Sequence, residues 1–330
     1  MLWDIALELG ENTVRLATRE NGLAFTASSL GAVQGEKLIA IGDDALDMLG
    51  RAPRSVRVVR PMENGLIAEP KLAAQWLARL LEPFTGSAKI TRPSVVFVDN
   101  GLTRQSEREL LTNTALELGA GQCGFLLSDI AAAAGAGLNI RRPEGFALAD
   151  IGAGRMSVSL MSYGRVARAR QIPYGMNRID EDIIRLVRAR AALSIGPRTA
   201  EDVKMVLASA LPAREVTSAV SGLDMKTGFP GEREISAVLV REAVEPIVDA
   251  LALAAQEVVQ DAPDELSADL LNTGLVLTGG GALLSGLDKV LASRCGLACH
   301  IPETPALCTG KGMARIIQDP ILSEAVIRKV

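Results

Sequence analysis

The stretch Ala149-Asp150-Ile151-Gly152-Ala153-Gly154 decides how this chain folds. An acidic residue ends an apolar run, and glycines follow at once, so backbone N–H groups can approach a phosphate without obstruction by side chains. A carboxylate beside such a turn suits a hydrated metal ion that accompanies a polyphosphate. We therefore interpret the stretch as part of a phosphate-binding site.

Similar turns occur twice more, at Leu7-Glu8-Leu9-Gly10-Glu11-Asn12 and at Leu277-Thr278-Gly279-Gly280-Gly281-Ala282. The two acidic turns lie about one domain length apart, which indicates an internal duplication with one phosphate-binding hairpin in each half. Side chains alternate on both sides of each acidic turn, so each turn should join two strands. A dinucleotide-binding fold is excluded because its glycine turn opens a helix.

The third turn follows a different pattern. Residues 275–277 predict a short buried strand, and Leu283, Leu284 and Leu287 begin a helical spacing directly after Gly281. We expect strand, glycine turn and helix in that order, with the first N–H groups of the helix beside a base or a phosphate. By itself, a glycine-rich connection from strand to helix is weak evidence, because it is purely structural as often as it binds a ligand.

Size and composition limit the class of protein. At 330 residues the chain is long enough for two domains, and 48% hydrophobic with 22% charged residues is ordinary for a globular protein. A net charge of −4 and a pI near 5.4 argue against nucleic acid as a partner. We expect a cytoplasmic protein, because no apolar run is long enough to span a bilayer and Asp4 and Glu8 interrupt the only candidate signal-peptide core.

Cysteine and histidine usage argues against two kinds of site. The cysteines Cys123, Cys295, Cys299 and Cys308 form no C-x-x-C pair, and the sole histidine is His300. A zinc site would therefore need an unusual ligand set, and a Ser-His-Asp triad has no obvious partners. We expect reduced thiols that are mostly buried.

Apolar spacing predicts helices over residues 71–81, 104–118, 178–191, 199–210 and 234–259. Thr199 and Asp202 have the form of a capping box at the start of the fourth helix. Glu201 and Lys204 share a face of that helix, where they form either a solvated salt bridge or part of a site. The small residues between 119 and 137 predict a helix that packs closely against a neighbour.

The order of the three turns resembles that in the actin-like ATPase superfamily. More specific segments are Ile41-Gly42-Asp43, Arg60-Pro61 with Gly65-Leu66-Ile67-Ala68, Arg198-Thr199-Ala200-Glu201 with Lys204, and residues 277–287. With these segments, the chain looks like the bacterial actin homologues of the MreB type over nearly its whole length. Heat-shock chaperone ATPases and sugar kinases share the turns but not these segments.

The resemblance implies an α/β, actin-like fold in which two duplicated RNase H-like domains, with four subdomains, surround a central nucleotide cleft. The first domain would cover residues 1–142, with a small subdomain at about 31–68 and a C-terminal helix at about 312–330 that returns to it. The second domain would cover residues 143–311, with a small subdomain at about 178–240.

The resemblance also implies a function. ATP and Mg²⁺ would be the cofactors, and the protein would associate with itself into head-to-tail filaments. Such filaments lie at the inner face of the cytoplasmic membrane, peripheral to it. There they organise cell shape together with cell-wall synthesis or morphogenesis proteins.

Site residues follow from the positions that match the family pattern. The first phosphate turn would bind the nucleotide with Gly10, Asn12 and Thr13, and the second with Gly152, Ala153 and Gly154. Gly279, Gly280 and Gly281 would form the adenosine turn, and Glu201 and Lys204 would contact the nucleoside. Glu8 and Asp150 would hold the metal ion through water.

The chain departs from the family pattern at the catalytic positions. The Glu and Pro that usually open the small-residue helix fall on Ser128 and Asp129, and serine cannot act as a carboxylate base at neutral pH. Asp129 substitutes only if the helix start is rotated by one residue. Glu8 stands where Asp is usual, and Ala153 and Arg155 replace a glycine and a threonine. Arg155 either pairs with a phosphate or obstructs the cleft.

We therefore expect ATP binding with weak or absent hydrolysis. Two alternatives stay open: a nucleotide-free actin-fold interaction module, which the altered turns favour, and a small-molecule kinase, for which no convincing base carboxylate is found. For membrane contact the chain offers Met1-Leu2-Trp3 and the loop at residues 84–90. Trp3 alternatively packs under the sheet.

Overall fold

The computed structural model describes residues 3–85, 92–212 and 215–330. The elements of the first half are β1 (Ile5–Leu9), β2 (Thr13–Thr18), β3 (Gly22–Ser28), β4 (Gly31–Gln34), β5 (Lys37–Ile41), α1 (Asp43–Met48), β6 (Val56–Val59), β7 (Met62–Glu63), β8 (Leu66–Ile67), α2 (Pro70–Thr85), β9 (Ser94–Asp99), α3 (Gln105–Glu117), β10 (Gln122–Leu127) and α4 (Ser128–Gly135).

The second half repeats the mixture of strands and helices. Its elements are β11 (Phe146–Ile151), β12 (Met156–Ser162), β13 (Arg165–Ile172), α5 (Asn177–Ala191), β14 (Leu193–Ser194), α6 (Pro197–Leu207), β15 (Thr217–Asp224), β16 (Pro230–Ser236), α7 (Ala237–Gln260), α8 (Asp264–Thr273), β17 (Leu275–Thr278), α9 (Leu287–Cys295) and β18 (Cys299–His300). The chain then adds α10 (Cys308–Gln318), α11 (Pro320–Val326) and β19 (Arg328–Lys329).

The two large sheets share one topology. The first has the order β3-β2-β1-β9-β10, with β19 added beside β10, and the second has the order β13-β12-β11-β17-β18. In each, three strands form an antiparallel meander, and the next two run parallel to the first of them. The predicted duplication is therefore confirmed, and each acidic turn joins two antiparallel strands as expected.

Smaller sheets are attached to this frame. Strands β5-β4-β6 form one, β14-β15-β16 another, and β7-β8 a two-stranded ribbon. They lie within the segments 31–68 and 178–240, where the resemblance places the small subdomains. The exact domain limits stay a prediction.

A close crossing of α4 and α10 fixes the centre of the molecule. A Cβ on Gly135 would lie 1.8 Å from the carbonyl oxygen of Cys308, and one on Gly312 would lie 1.7 Å from that of Ala131. Only glycine permits this approach of two backbones. The core cluster around the crossing includes residues of both large sheets, such as Val96 and Leu148. The predicted close-packed helix is confirmed, although residues 122–127 before it form β10.

The other predicted helices are present, but two of their starts are wrong. Helix α6 begins at Pro197 with Gly196 as its N-cap, so the capping box predicted at Thr199 does not form. Proline is favoured in the first helical turn because its fixed φ suits a helix and its missing N–H is not needed there. Helix α7 begins only at Ala237, because residues 230–236 pair with β15.

Trp3 takes the second of the two roles predicted for it. The side chain is buried, and a Cβ on Gly124 would lie 2.6 Å from its ring, so the indole packs beneath the first large sheet. Met1, Leu2 and residues 86–90 of the other candidate membrane contact lie outside the described residues. Within the described ranges, the chain has no helix that is both long enough and apolar enough to cross a membrane.

Candidate nucleotide site

Both acidic turns have the same backbone geometry. The Gly10 N–H donates to the carbonyl oxygen of Thr13 (3.1 Å), and the Gly152 N–H donates to that of Arg155 (3.0 Å). A Cβ on either glycine would lie 2.6 or 2.8 Å from the same oxygen, which is too close for any side chain. The duplicated fold therefore presents equivalent glycine turns at equivalent positions.

The third turn packs directly against the second hairpin. Gly279 has a φ of +80°, and a Cβ there would lie 2.3 Å from the carbonyl oxygen of Ile151. A Cβ on Gly281 would lie 2.2 Å from Cγ2 of the same isoleucine. These two glycines are needed so that the third turn can reach the end of β11.

The prediction of a helix directly after Gly281 is wrong. A 3₁₀ turn occupies Gly280–Leu283, and α9 begins only at Leu287. In between, Ser285 forms a parallel bridge with Ser209, just beyond α6. This pairing requires a non-helical backbone, so the N–H groups beside the glycine turn belong to the 3₁₀ turn.

The three turns meet at a cavity of about 520 Å³ between the two halves, a size typical of small-ligand pockets. It is lined by every residue assigned from sequence to the nucleotide or the metal: Glu8, Gly10, Asn12, Thr13, Asp150, Gly152, Ala153, Gly154, Glu201, Lys204, Gly279, Gly280 and Gly281. Ser128 also lines it, whereas Asp129 is not among the described residues that do. The tertiary structure brings these positions together, and their binding of a nucleotide stays a prediction.

Lys204 forms its salt bridge with a residue of α5 and not with Glu201 of its own helix. Its Nζ lies 2.6 Å from Oδ2 of Asp180 on α5, and both side chains are largely buried. Burial raises the pKa of Asp180, and the lysine opposes that rise. The solvated salt bridge between Glu201 and Lys204 is therefore the wrong interpretation of their spacing. Both residues line the cavity instead.

Arg155 organises a buried polar cluster beside the second turn. Its Nη2 donates to Oδ2 of Asp150 (2.9 Å) and to Oγ of Ser128 (2.5 Å), and its Nη1 donates to Oγ of Ser157 (2.9 Å). Ser157 in turn donates to Oδ1 of Asp129 (2.8 Å). The carboxylate of Asp129 is thus engaged inside the cluster. Its role as a substitute base stays a prediction.

The two carboxylates expected to hold Mg²⁺ each have a guanidinium partner. Oε2 of Glu8 accepts from Nη1 of Arg15 (2.8 Å), and Asp150 accepts from Arg155 and from the hydroxyl of Thr278. Burial raises the pKa of Asp150 to about 6, although Arg155 acts in the opposite direction.

These residues do not fit the metal ion that the resemblance implies. Mg²⁺ is usually held through carboxylates whose charge it balances, and here arginines already balance both. In residues 3–85, 92–212 and 215–330, no group of three or more His, Cys, Asp or Glu side chains is arranged to hold a metal ion.

Glu11 and Asn177 contribute to the site although the sequence did not mark them. Oε1 of Glu11 accepts from Nδ2 of Asn177 (2.7 Å), and Oε2 accepts from the N–H of Asn64 (2.6 Å). A Cβ on Gly154 would lie 1.7 Å from that Oε2. A carboxylate of the first turn therefore lies against the second turn. The position of Glu11 within the first turn could have identified it from the sequence, whereas Asn177 belongs to no motif.

Comparison with known proteins settles the family. The model of the family described as MreB/Mbl protein matches residues 2–324. This chain belongs to the MreB/Mbl family. Among MreB/Mbl proteins, the cell shape-determining protein MreB of Escherichia coli (strain K12) is 30% identical over 325 residues, which cover 96% of this chain and 93% of that protein.

Solved structures confirm that this MreB/Mbl chain has the actin-like fold. MreB5 of Spiroplasma citri bound to ADP superposes with a TM-score of 0.89 and 29% identity, over 97% of each chain. MamK in a double helical filament superposes with a TM-score of 0.79 over 96% of this chain and 99% of its own. At 15% identity, the likeness to MamK concerns the fold alone.

Proposed function

We propose that the protein is a cytoskeletal member of the MreB/Mbl family that binds ATP in the central cavity and assembles head to tail into filaments. The observation that carries this proposal is the cavity itself, because three glycine turns far apart in the sequence line one space of nucleotide size. The ADP bound to MreB5 of Spiroplasma citri supports the first part of the proposal, and assembly into filaments is what the resemblance to the MreB family implies.

Hydrolysis of the bound nucleotide is weak or absent in this proposal. Ser128 stands where a carboxylate usually polarises the attacking water, and its hydroxyl accepts a hydrogen bond from Arg155. Asp129 is engaged with Ser157. Phosphoryl transfer to water depends on a group that positions and polarises the water, and no carboxylate stands at position 128 to do so.

The proposed cellular role follows from family membership. The relative in Escherichia coli is a cell shape-determining protein. We place this protein in the cytoplasm, peripheral to the inner face of the membrane, where its filaments organise cell shape with cell-wall synthesis or morphogenesis proteins.

A second candidate function, a nucleotide-free interaction module, is favoured by one observation. The carboxylate of Glu11 lies against Gly154 of the second turn, close to where a phosphate would be expected. A negative charge in this position opposes an incoming polyphosphate.

The two candidates separate in a sedimentation experiment. Purified protein is centrifuged at high speed with and without ATP, and the pellet is viewed by electron microscopy. We expect ordered filaments that require ATP. Protein that stays in the supernatant under both conditions would instead support the interaction module.

A leucine at Gly280 tests whether the cavity binds the nucleotide. Gly280 lines the cavity and a Cβ there has no atom within 4 Å, so a leucine fits at the cavity wall without disturbing the fold. We expect Gly280→Leu to lower the affinity for ATP at least about tenfold, measured by calorimetry, since one lost or blocked contact of about 1.4 kcal/mol has that effect.

The matched control for this variant is Gly196→Leu. Gly196 also has open space around its Cβ position, but it does not line the cavity. Its affinity for ATP should equal that of the unmodified protein. An unchanged affinity in Gly280→Leu would place the nucleotide elsewhere.

A further inference from the structure

The second phosphate turn carries a fixed positive charge where the family pattern has an uncharged threonine. Arg155 follows Gly154 directly, lines the cavity and is only 8% exposed. Its carbonyl oxygen accepts the hydrogen bond that closes the turn at Gly152. The backbone of Arg155 is therefore part of the turn that should face the phosphates, and its guanidinium is held beside that turn by Asp150, Ser128 and Ser157.

The cluster leaves this guanidinium able to bind an anion. A guanidinium has five N–H donors, and the hydrogen bonds among the described residues use three donor contacts, to Asp150, Ser128 and Ser157. Arginine is also the side chain whose planar fork best matches phosphate oxygens.

The guanidinium of Arg155 lies where it would oppose the binding of a divalent metal ion. Nη2 of Arg155 lies 2.9 Å from Oδ2 of Asp150, the carboxylate expected to hold Mg²⁺ through water. Oδ1 of Asp129 lies 3.9 Å from the same nitrogen. A divalent ion beside Asp150 would be repelled by the guanidinium at this short range.

We propose that Arg155 takes the charge-neutralising place of the divalent metal, so that the cleft binds ATP without Mg²⁺. This inference rests on the proposed nucleotide-binding function. Arg155 balances the carboxylate of Asp150 and presents its remaining donors toward the phosphates. Of the two roles that the sequence left open for Arg155, this proposal takes the pairing with a phosphate, whereas an obstructing side chain would prevent binding with or without metal.

The test is the affinity for ATP in excess MgCl₂ and in excess EDTA, measured by calorimetry on the full-length protein. We expect the two affinities to agree within about threefold. In Arg155→Thr, affinity in EDTA should fall at least about tenfold below that in MgCl₂, because a charge-assisted hydrogen bond to phosphate is lost.

Two further variants control for folding and for charge. Arg155→Lys keeps the positive charge, so its affinity should depend on Mg²⁺ less than that of Arg155→Thr. Arg170→Thr removes a surface arginine that pairs with Glu257 and Asp261, and it should behave as the unmodified protein does. Circular dichroism establishes that each variant is folded.

The outcomes separate this inference from the proposed function. Binding by the unmodified protein only in MgCl₂ would overturn the role of Arg155 and leave the nucleotide-binding function standing. An equal dependence on Mg²⁺ in the unmodified protein and in Arg155→Thr would also overturn it. Absence of binding under both conditions would overturn the proposed function itself.

Discussion

Replacing Gly312 by alanine should lower the free energy of unfolding by about 3 kcal/mol, the upper end of the usual cost of overpacking a core. The added Cβ would lie 1.7 Å from the carbonyl oxygen of Ala131 and 2.7 Å from the backbone nitrogen of Gly135. Because both contacts are to backbone, no side chain can move aside. Helices α4 and α10 must separate, and the surrounding core loses packing.

The sign of this effect distinguishes tertiary packing from local propensity. In an isolated helix, alanine is more favourable than glycine by about 1 kcal/mol, so propensity alone predicts stabilisation. Thermal unfolding followed by circular dichroism should show a midpoint lower by roughly 4–6 °C.

Gly196→Ala is the matched control, since its Cβ meets no atom within 4 Å. We expect a loss of less than about 1 kcal/mol, because alanine is a poorer N-cap than glycine. A Gly312→Ala protein as stable as the unmodified one would mean that the helices do not cross this closely.

The double variant Ser128→Glu with Arg155→Thr should hydrolyse ATP about 10- to 100-fold faster than the unmodified protein. A positioned base contributes roughly 10²–10⁴-fold, of which we expect a part. The carboxylate is introduced at the first residue of α4, beside the cavity. Release of phosphate in the presence of ATP and MgCl₂ measures the rate.

Both changes are needed for this gain. Nη2 of Arg155 lies 2.5 Å from Oγ of Ser128, so Ser128→Glu alone places its carboxylate against the guanidinium. The ion pair would hold it away from water, and turnover should stay low. Arg155→Thr removes the partner and supplies the residue that the family pattern has at this position.

The control is Ser128→Gln with Arg155→Thr, which has nearly the same shape without a carboxylate. It should remain as slow as the unmodified protein. Equal rates in the Glu and Gln double variants would show that loss of the carboxylate at position 128 does not limit hydrolysis.

Sequence alone predicted the frame of the fold and the turns at the site. A glycine turn between alternating segments can be recognised locally, because strand periodicity and the need for glycine depend on neighbouring residues. The hairpins at Gly10 and Gly152 and the small-residue helix before Gly137 were found in this way. The start of α9 at Leu287 was not predicted, because it depends on the bridge between Ser285 and Ser209, which joins segments 76 residues apart.

The same distinction holds for individual side chains at the site. The residues that match the family pattern all line the cavity, and each belongs to a turn or helix with a local pattern. Glu11 and Asn177 line the cavity as well, although the sequence did not mark them. Only the tertiary structure decided what they contact: Lys204 pairs with Asp180, and Glu11 bonds to Asn177, which is 166 positions away. Arg155, in the turn after β11, likewise donates a hydrogen bond to Ser128 at the start of α4. Such contacts depend on how the two halves come together, and no local periodicity or propensity encodes that arrangement.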